Sequence, residues 1–462
     1  MKDHLTSVAR LMAAIVFGAT TSCALAAVSA EEAAQLGGPL LTVFGAEKAG
    51  NKEGTIPPYN GKGVKPPPAW DPKTPGQRPD PYNEKPLFSI TAQNAGQYAD
   101  KLDGMMEMFK RYPNFRMDIY PSHRDWVFPQ YVLDNTVKNA TACKGAENEL
   151  KLEGCYGGVP FPIPKTGNQA MWNHLTRFHS FTTSGRGQSW IVPSSGDPVM
   201  VEQGEYLNNW PYYDPAKTTP QPQDAQYWRY LGKIEAPPRV VGSQLMLLDP
   251  LDQLTVGRRA YVYMTGRRWT KLAADLNYDT PSPYSGGTAT MDDGQVFMGA
   301  LDRFDFTLVG KKEKFISYNN YKMTDHKSCS GATIMSTRGF ANPDCMRWEL
   351  HRVWVIDAKL KPGFNHVYHR RVFYWDEDGF NAGQSENYDA NGKLFRMAYS
   401  IYFPFYETVG GWGGTDIYMD LSIGAWTTSG ATNCPICGYQ AITTPISELT
   451  FTPGGMTAAG VR

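Results

Sequence analysis

The sequence predicts an α+β protein built on one large, curled antiparallel sheet. The sheet is an incomplete β-barrel, covered by a few helices and preceded by an extended Pro-rich N-terminal arm. Three observations carry that expectation. Helical patterns crowd into residues 94–175 and strand patterns dominate from residue 181 onward, without the βαβ alternation of a parallel sheet. Residues 346–406 read as a meander of strands joined by turn sequences. On its last strand Phe395, Met397, Tyr399, Ile401, Phe403 and Phe405 fill every odd position, so one face needs an equally large apolar partner. A sheet of that many strands curls, and curling towards the helices leaves an apolar concave face.

At the N-terminus, Lys2 and Arg10 flank an apolar run over residues 11–19, too short to span a bilayer. Ala24-Leu25-Ala26 and Val28-Ser29-Ala30 both fit the small-x-small rule of a secretory cleavage site. The expected organisation is a signal peptide over 1–26 (cleavage as late as 30), an arm over 27–90 and a single domain over 91–462. Thr20-Thr21-Ser22 lacks the Leu and the Gly or Ala expected before a lipidated Cys23. No other apolar run approaches the roughly 20 residues of a transmembrane helix. The mature chain is thus expected to be exported, soluble and, in a Gram-negative source, periplasmic.

Ser29 to Glu32 could cap a short helix reaching Leu36. Nine prolines between residues 57 and 81 then preclude regular structure. Asn94 and Gln97 open a helix carrying Tyr98, Leu102, Met105 and Phe109 at helical spacing, which Pro113 stops. Residues 115–120 read as a strand and part of 129–142 as a helix. Thr166 and Gln169 open a helix with Met171, Trp172, Asn173 and His174, whose Trp172 is either core or the underside of a lid. Strands are expected over 239–249, 258–264, 302–311, 314–318, 416–426 and 446–451, with a long loop through 278–281.

In the central meander Trp348, Leu350, Trp354, Ile356, Ala358 and Leu360 alternate with Arg347, Glu349, His351, Asp357 and Lys359, one dry face and one wet. Lys361-Pro362-Gly363-Phe364-Asn365 turns the chain into a second strand over 366–375, and Asp376-Glu377-Asp378-Gly379 turns it again. Asp389-Ala390-Asn391-Gly392 is a tighter hairpin, because Asn-Gly tolerates positive φ.

Beyond Cys23 the cysteines fall into local pairs: Cys143 with Cys155, Cys329 with Cys345 and Cys434 with Cys437. An even number in an exported chain favours disulfides, and neighbour pairing is the expectation. Cys434-Pro435-Ile436-Cys437 has redox spacing, but redox motifs open helices, and its flanks read as loop and strand. A zinc site lacks the second CxxC that would complete its ligands. The 45 basic and 45 acidic residues balance, so a nucleic-acid partner is not indicated.

No catalytic residue, metal or cofactor is expected, since no GxSxG, HExxH or P-loop pattern occurs. His366 and His369, three apart on a strand, point to opposite faces. If the hairpin closes on residues 361–365, His369 lies across from Asp357 as a polar pair. His174 and His179, around a helix end, are no better placed. Asp292-Asp293, in a Gly-rich loop, reads as a solvated turn ahead of a calcium site. Scattered carboxylates leave a glycosidase as an alternative.

A bound acyl chain needs only apolar lining, since each buried methylene contributes about 0.8 kcal/mol. The candidate lining is Trp172, Trp348, Trp354, Phe395, Met397, Tyr399, Ile401 and Phe403. Arg352 and Arg370 fall nominally on the face of Trp348 and Trp354, where they either meet an anionic head group or snorkel to water.

Several blocks also resemble one bacterial exported family: LGGPLLTVFGAEKAGNKEGTIPPYNG, EKPLFSITAQNAGQYADKL, YPSHRDWVFPQ, GGVPFPIPKTGNQAMWNHL, LDRFDFTLVGKKEKF and WELHRVWVIDAKLKPGFNHVYHRRVFYWDEDGF. This is domain-of-unknown-function family 1329, often labelled outer-membrane lipoprotein-sorting-like, and the resemblance covers nearly the whole mature chain. It implies the fold of the Lol lipoprotein carriers, an incomplete barrel with helices over a hydrophobic cavity. It also implies the company of an outer-membrane barrel protein and an inner-membrane export pump. The function expected on both grounds is a periplasmic binding or carrier protein for a lipid, a lipoprotein acyl chain or another apolar solute moving between the two membranes. A non-catalytic structural adaptor of an outer-membrane transport complex and a periplasmic hydrolase are the alternatives.

Overall fold

The computed structural model describes residues 28–460, so the expected signal peptide and Cys23 lie outside the described residues. Ser29 and Glu32 form the capping box of α1 (Ala30–Ala33). The segment that follows is irregular, packed at its two ends and mostly exposed over residues 60–74. Phe44 lies 5.0 Å from the Phe128 ring and edge-on to Tyr59. Arg78 is fully buried, donating to the Tyr439 carbonyl at 2.6 Å and to Glu407, with its guanidinium 4.0 Å over the Phe405 ring. The segment straps the domain.

After β1 (Phe88–Ile90), the single helix expected from residue 94 is broken into 3-10 turns, α2 (Ala99–Leu102) and α3 (Met106–Arg111). The break sits at Asp103, which takes φ +49° and accepts from Lys312 at 2.7 Å and Lys314 at 2.9 Å. Two charged hydrogen bonds to the sheet outweigh one more helical turn. β2 (Met117–Ile119), α4 (Gln130–Ala142) and a small hairpin of β3 (Lys144–Ala146) and β4 (Lys151–Glu153) follow. Then comes α5 (Gly167–Leu175), whose N-cap Thr166 accepts from the Gln169 amide.

The first long meander is β5 (Thr182–Val192), β6 (Val199–Asn209), β7 (Gln226–Ala236), β8 (Gln244–Pro250), β9 (Arg259–Met264) and β10 (Trp269–Leu272). The second is β11 (Phe304–Ser317), then α6 (Gly331–Ile334), β12 (Trp348–Leu360), β13 (Arg370–Asp376), β14 (Gly383–Tyr388), β15 (Leu394–Pro404), β16 (Gly411–Asp420), β17 (Ala425–Ala431) and β18 (Gly438–Ala441). The two meanders join where β17 and β18 pair along one edge of β5. The result is one open 16-stranded sheet, antiparallel apart from a single parallel bridge between Trp348 and Ile119. It is an α+β fold built on a large incomplete barrel.

Several local expectations are corrected. The strands expected at 302–311 and 314–318 are one strand, β11, with a bulge between Leu308 and Gly310. Residues 416–426 divide between β16 and β17, because Asp420 accepts from the Ser422 amide at 2.9 Å and Gly424 takes φ +68°. Residues 446–451 are not a strand: a 3-10 turn, Glu448–Phe451, leads into α7 (Pro453–Gly460), whose Met456 packs with Met246, Leu248 and Tyr263.

The wet face expected on β12 is dry over Arg347, Glu349 and His351, while Asp357 is half-buried and Lys359 is exposed. Glu349 is fully buried, accepting from Arg347 at 2.6 Å, His351 at 3.0 Å, the His123 amide at 2.8 Å and Asn319 at 3.1 Å. The next hairpin is longer than five residues. Asp357 pairs with Val372, so His369 does not face it. His366 and Tyr368 leave the sheet to bond Asp292 and Asp293.

Candidate functional site

The eight apolar residues expected to line a cavity do not converge. Trp172 is fully buried, its indole donating to the Glu149 carbonyl at 2.7 Å, in the core that α4 and α5 share with β12 and β13. Trp354 and Phe395 are half-buried at that core's margin, Trp354 under the Lys311 ammonium at 4.6 Å. Trp348, Met397, Tyr399 and Ile401 belong to a second core beneath α2 and α3, and Phe403 to a third with Phe405 and Tyr439. The odd row of β15 thus crosses three cores instead of facing one hollow, and the bulge between Ile401 and Phe403 turns it.

Neither arginine waits at a cavity mouth. Arg352 pairs with Glu377 at 3.0 Å in a buried cluster with Lys311, Arg124 and Asp378. Exposed Arg370 pairs with Asp357 at 2.7 Å, beside a shallow depression that also carries Asp103 and Glu386. Three carboxylates there disfavour an anionic head group.

Among the pockets of the described residues, the one richest in aromatic lining lies on the first meander, across its seam with the second. Alternate residues of neighbouring strands face it: Glu202, Tyr206 and Asn208 on β6, Trp228 and Tyr230 on β7, and Leu245 and Leu247 on β8. Trp412, Gly414, Asp416 and Tyr418 on β16 and Tyr439 on β18 complete this wall. Over it runs the loop between β10 and β11, contributing Tyr284, Met291, Gln295 and Met298. The cavity is about 110 Å³. An apolar cavity of about 150 Å³ admits a benzene ring, so this one suits a compact group, with any longer chain leaving by the half-exposed rim of Tyr230, Tyr284 and Met298.

The aromatic wall is ordered. Near-parallel rings run from Tyr230 through Tyr206 (6.2 Å) and Tyr439 (6.3 Å) to Trp412 (3.7 Å). Glycines keep it open: a Cβ on Gly232 would meet the Tyr230 hydroxyl and the Tyr206 ring.

Two carboxylates stand in this apolar surround. Glu202, 4% exposed, accepts through Oε1 from Tyr206 at 2.9 Å and Ser189 at 3.2 Å, while Oε2 has no partner. Asp416, 2% exposed, accepts through Oδ2 from Tyr418 at 2.9 Å and the Gln295 amide at 2.8 Å, while Oδ1 has none. Burial pushes Glu202 up to about 7 against the bonds from Tyr206 and Ser189. Burial likewise raises Asp416 to about 7, against Tyr418, the Gln295 amide and the more remote Arg177. Among the described residues neither carboxylate makes a salt bridge.

The loop over the pocket is pinned. Thr427 donates to the Ser285 carbonyl and accepts from Thr288, both at 2.8 Å. Arg371 holds Asp292 at 2.9 Å and Asp293 at 2.6 Å, with His366 on Asp292 and Tyr368 on Asp293. Burial works to raise Asp292, but Arg371 and His366 outweigh it and hold the carboxyl low. The dyad read as a solvated turn is therefore a buried anchor, with its oxygens taken by protein donors. Among the described residues no group of three or more metal-ligating side chains gathers.

Sequence reading missed this pocket. Its one local signal was period two in Glu202-x-Gly204-x-Tyr206-x-Asn208 and Trp412-x-Gly414-x-Asp416-x-Tyr418, an acid set among small and aromatic residues on a buried face.

The chain belongs to the DUF1329 family, described as a protein of unknown function, whose model matches residues 89–456. An uncharacterized protein of Pseudomonas aeruginosa is 36% identical over 444 residues, 95% of each chain. Among solved structures, a putative outer membrane lipoprotein-sorting protein domain from Vibrio parahaemolyticus is 12% identical with a TM-score of 0.41, covering 63% of this chain and 97% of its own. A DUF1329 protein from Desulfovibrio piger is 11% identical at 0.40 (62% and 95%). A LolA superfamily protein from Nitrosomonas europaea is 10% identical at 0.34 (62% and 98%).

Proposed function

We infer that the protein binds and carries a small, mainly apolar molecule in the pocket between the seam of the sheet and the β10–β11 loop. One observation carries this reading: the aromatic wall of Trp228, Tyr230, Tyr206, Tyr439 and Trp412 borders unfilled space instead of packing shut. In this reading the protein is exported and works in the periplasm, in keeping with disulfides Cys143–Cys155, Cys329–Cys345 and Cys434–Cys437. No helix among the described residues is long and apolar enough to cross a membrane. An outer-membrane barrel protein and an inner-membrane export pump are the partners to which it would pass its cargo.

A second reading has its own support. Two buried carboxylates that titrate near neutrality are what general acid–base chemistry needs. We place it second, because among the described residues no metal-ligating cluster accompanies them.

Native mass spectrometry of protein purified from the periplasm, with organic extraction of whatever is bound, tests the carrier reading. A stoichiometric small molecule displaced by a fluorescent fatty-acid probe is the expected result. Protein that is empty and takes up no probe overturns it.

A further inference from the structure

The pocket is unusual in what it leaves unmatched. Glu202 Oε2 and Asp416 Oδ1 are both buried without a partner. Each belongs to a side chain more than nine-tenths buried that lines the same cavity. A buried acceptor without a donor carries a desolvation cost that a ligand can relieve. The surrounding rings narrow the chemistry of that ligand. Tyr206, Tyr230, Tyr284 and Tyr439 line the same cavity as Glu202 and Asp416. Aromatic faces carry negative potential and attract cations within about 6 Å. Carboxylates and aromatic rings lining one cavity together define a site for positive charge on an apolar body.

The charges around the pocket agree. Buried Arg177 is the cation in range of Asp416, and it is committed to the His174 carbonyl at 2.6 Å and to Gln295. Among the groups that act on Glu202, Tyr206 and Ser189 donate hydrogen bonds and none is a cation. The protein itself thus supplies Glu202 with no counter-charge.

Resting on the carrier reading above, we propose that the pocket selects an organic cation, a tertiary or quaternary ammonium group seated against Glu202 and ringed by Tyr206, Tyr230 and Tyr439. The ammonium stands alone or as the head of an amphiphile whose chain leaves past Leu245, Leu247 and Met298. Methyl substituents on nitrogen fit both the cavity size and the aromatic wall.

The test compares choline with its neutral carbon isostere, 3,3-dimethylbutan-1-ol, on the full chain at pH 8 by titration calorimetry and tryptophan fluorescence. Choline is expected to bind at least about tenfold tighter than the alcohol and to perturb tryptophan emission through Trp412. Glu202→Gln, which keeps shape and removes charge, is expected to erase that preference. Equal binding of alcohol and choline overturns the cation inference, as does uptake of the fluorescent fatty acid without choline; both leave the carrier reading standing. Failure of all three probes to bind removes both. The wild-type comparison needs no variant to fold.

Discussion

Glu202 is a carboxylate held where its charge is costly, and the sign of that cost is measurable. It ionises at about 7 in the fold against 4.5 in the unfolded chain. The stability it permits is full below about pH 4.5 and is lost as pH rises through 7. Glu202→Gln is expected to raise stability at pH 8 by about 2–3 kcal/mol and to change it little at pH 4, measured by urea denaturation at both values. Asp416 and Asp376 act in the same direction, Asp376 being raised by burial and by Asp378 to about 8. Glu349 acts in the opposite one. Burial raises it, but Arg347 and His351 outweigh that and bring it to about 2, so its contribution is lost as pH falls below about 4.5. The residue patterns hid these roles. Arg347, Glu349 and His351 alternate with apolar neighbours as a solvent face would, and nothing local announces that Glu84, His123 and Asn319 arrive to satisfy them.

Among the elements, the β10–β11 loop decides access to the pocket, and Arg371 decides the loop. Arg371→Leu leaves Asp292 and Asp293 buried without their cation, a loss of about 3–5 kcal/mol if the charges stay inside. The expected outcome is local release: faster amide exchange over residues 288–295, with exchange in β12 and β13 nearly unchanged. In β7, Gly232→Ala pushes Tyr230 and Tyr206 into the pocket. It is expected to weaken the fluorescent fatty-acid probe several-fold, read by direct titration. Elements were legible where one chemistry ruled. The Thr166 cap, the Asn391-Gly392 turn and the long strand β15 follow from neighbours in sequence. The break at Asp103 and the displaced start of β13 follow from side chains that find partners elsewhere, which period counting does not register.

At the scale of the whole molecule, stability is expected to peak in a narrow window around pH 4–4.5, falling below it through Glu349 and above it, progressively up to about pH 7–8, through Glu202, Asp416 and Asp376. A melting-temperature scan across pH checks that window. The disulfides add chain constraint. Loops of 12 and 16 residues, closed by Cys143–Cys155 and Cys329–Cys345, contribute on the order of 3 kcal/mol each by loop entropy. Dithiothreitol is expected to lower the urea midpoint accordingly, with Cys434–Cys437, which spans three residues, contributing least. The α+β class and the open sheet were readable because they depend on composition and strand count. The pocket was not, because β6 and β16 meet only through strand order.

That strand order also sets the timetable of folding. The free edge of β5 is completed by residues as distant as Trp426, which pairs with Val192. A chain synthesised N-terminus first presents β5 to β10 long before their missing neighbours arrive. Contacts of such long range form late and slowly. Until then an unpaired strand edge and half an aromatic wall stand open to other chains. The last residues to emerge are the ones that make the first meander safe, so a chain cut short before β17 is expected to aggregate rather than fold as a smaller sheet.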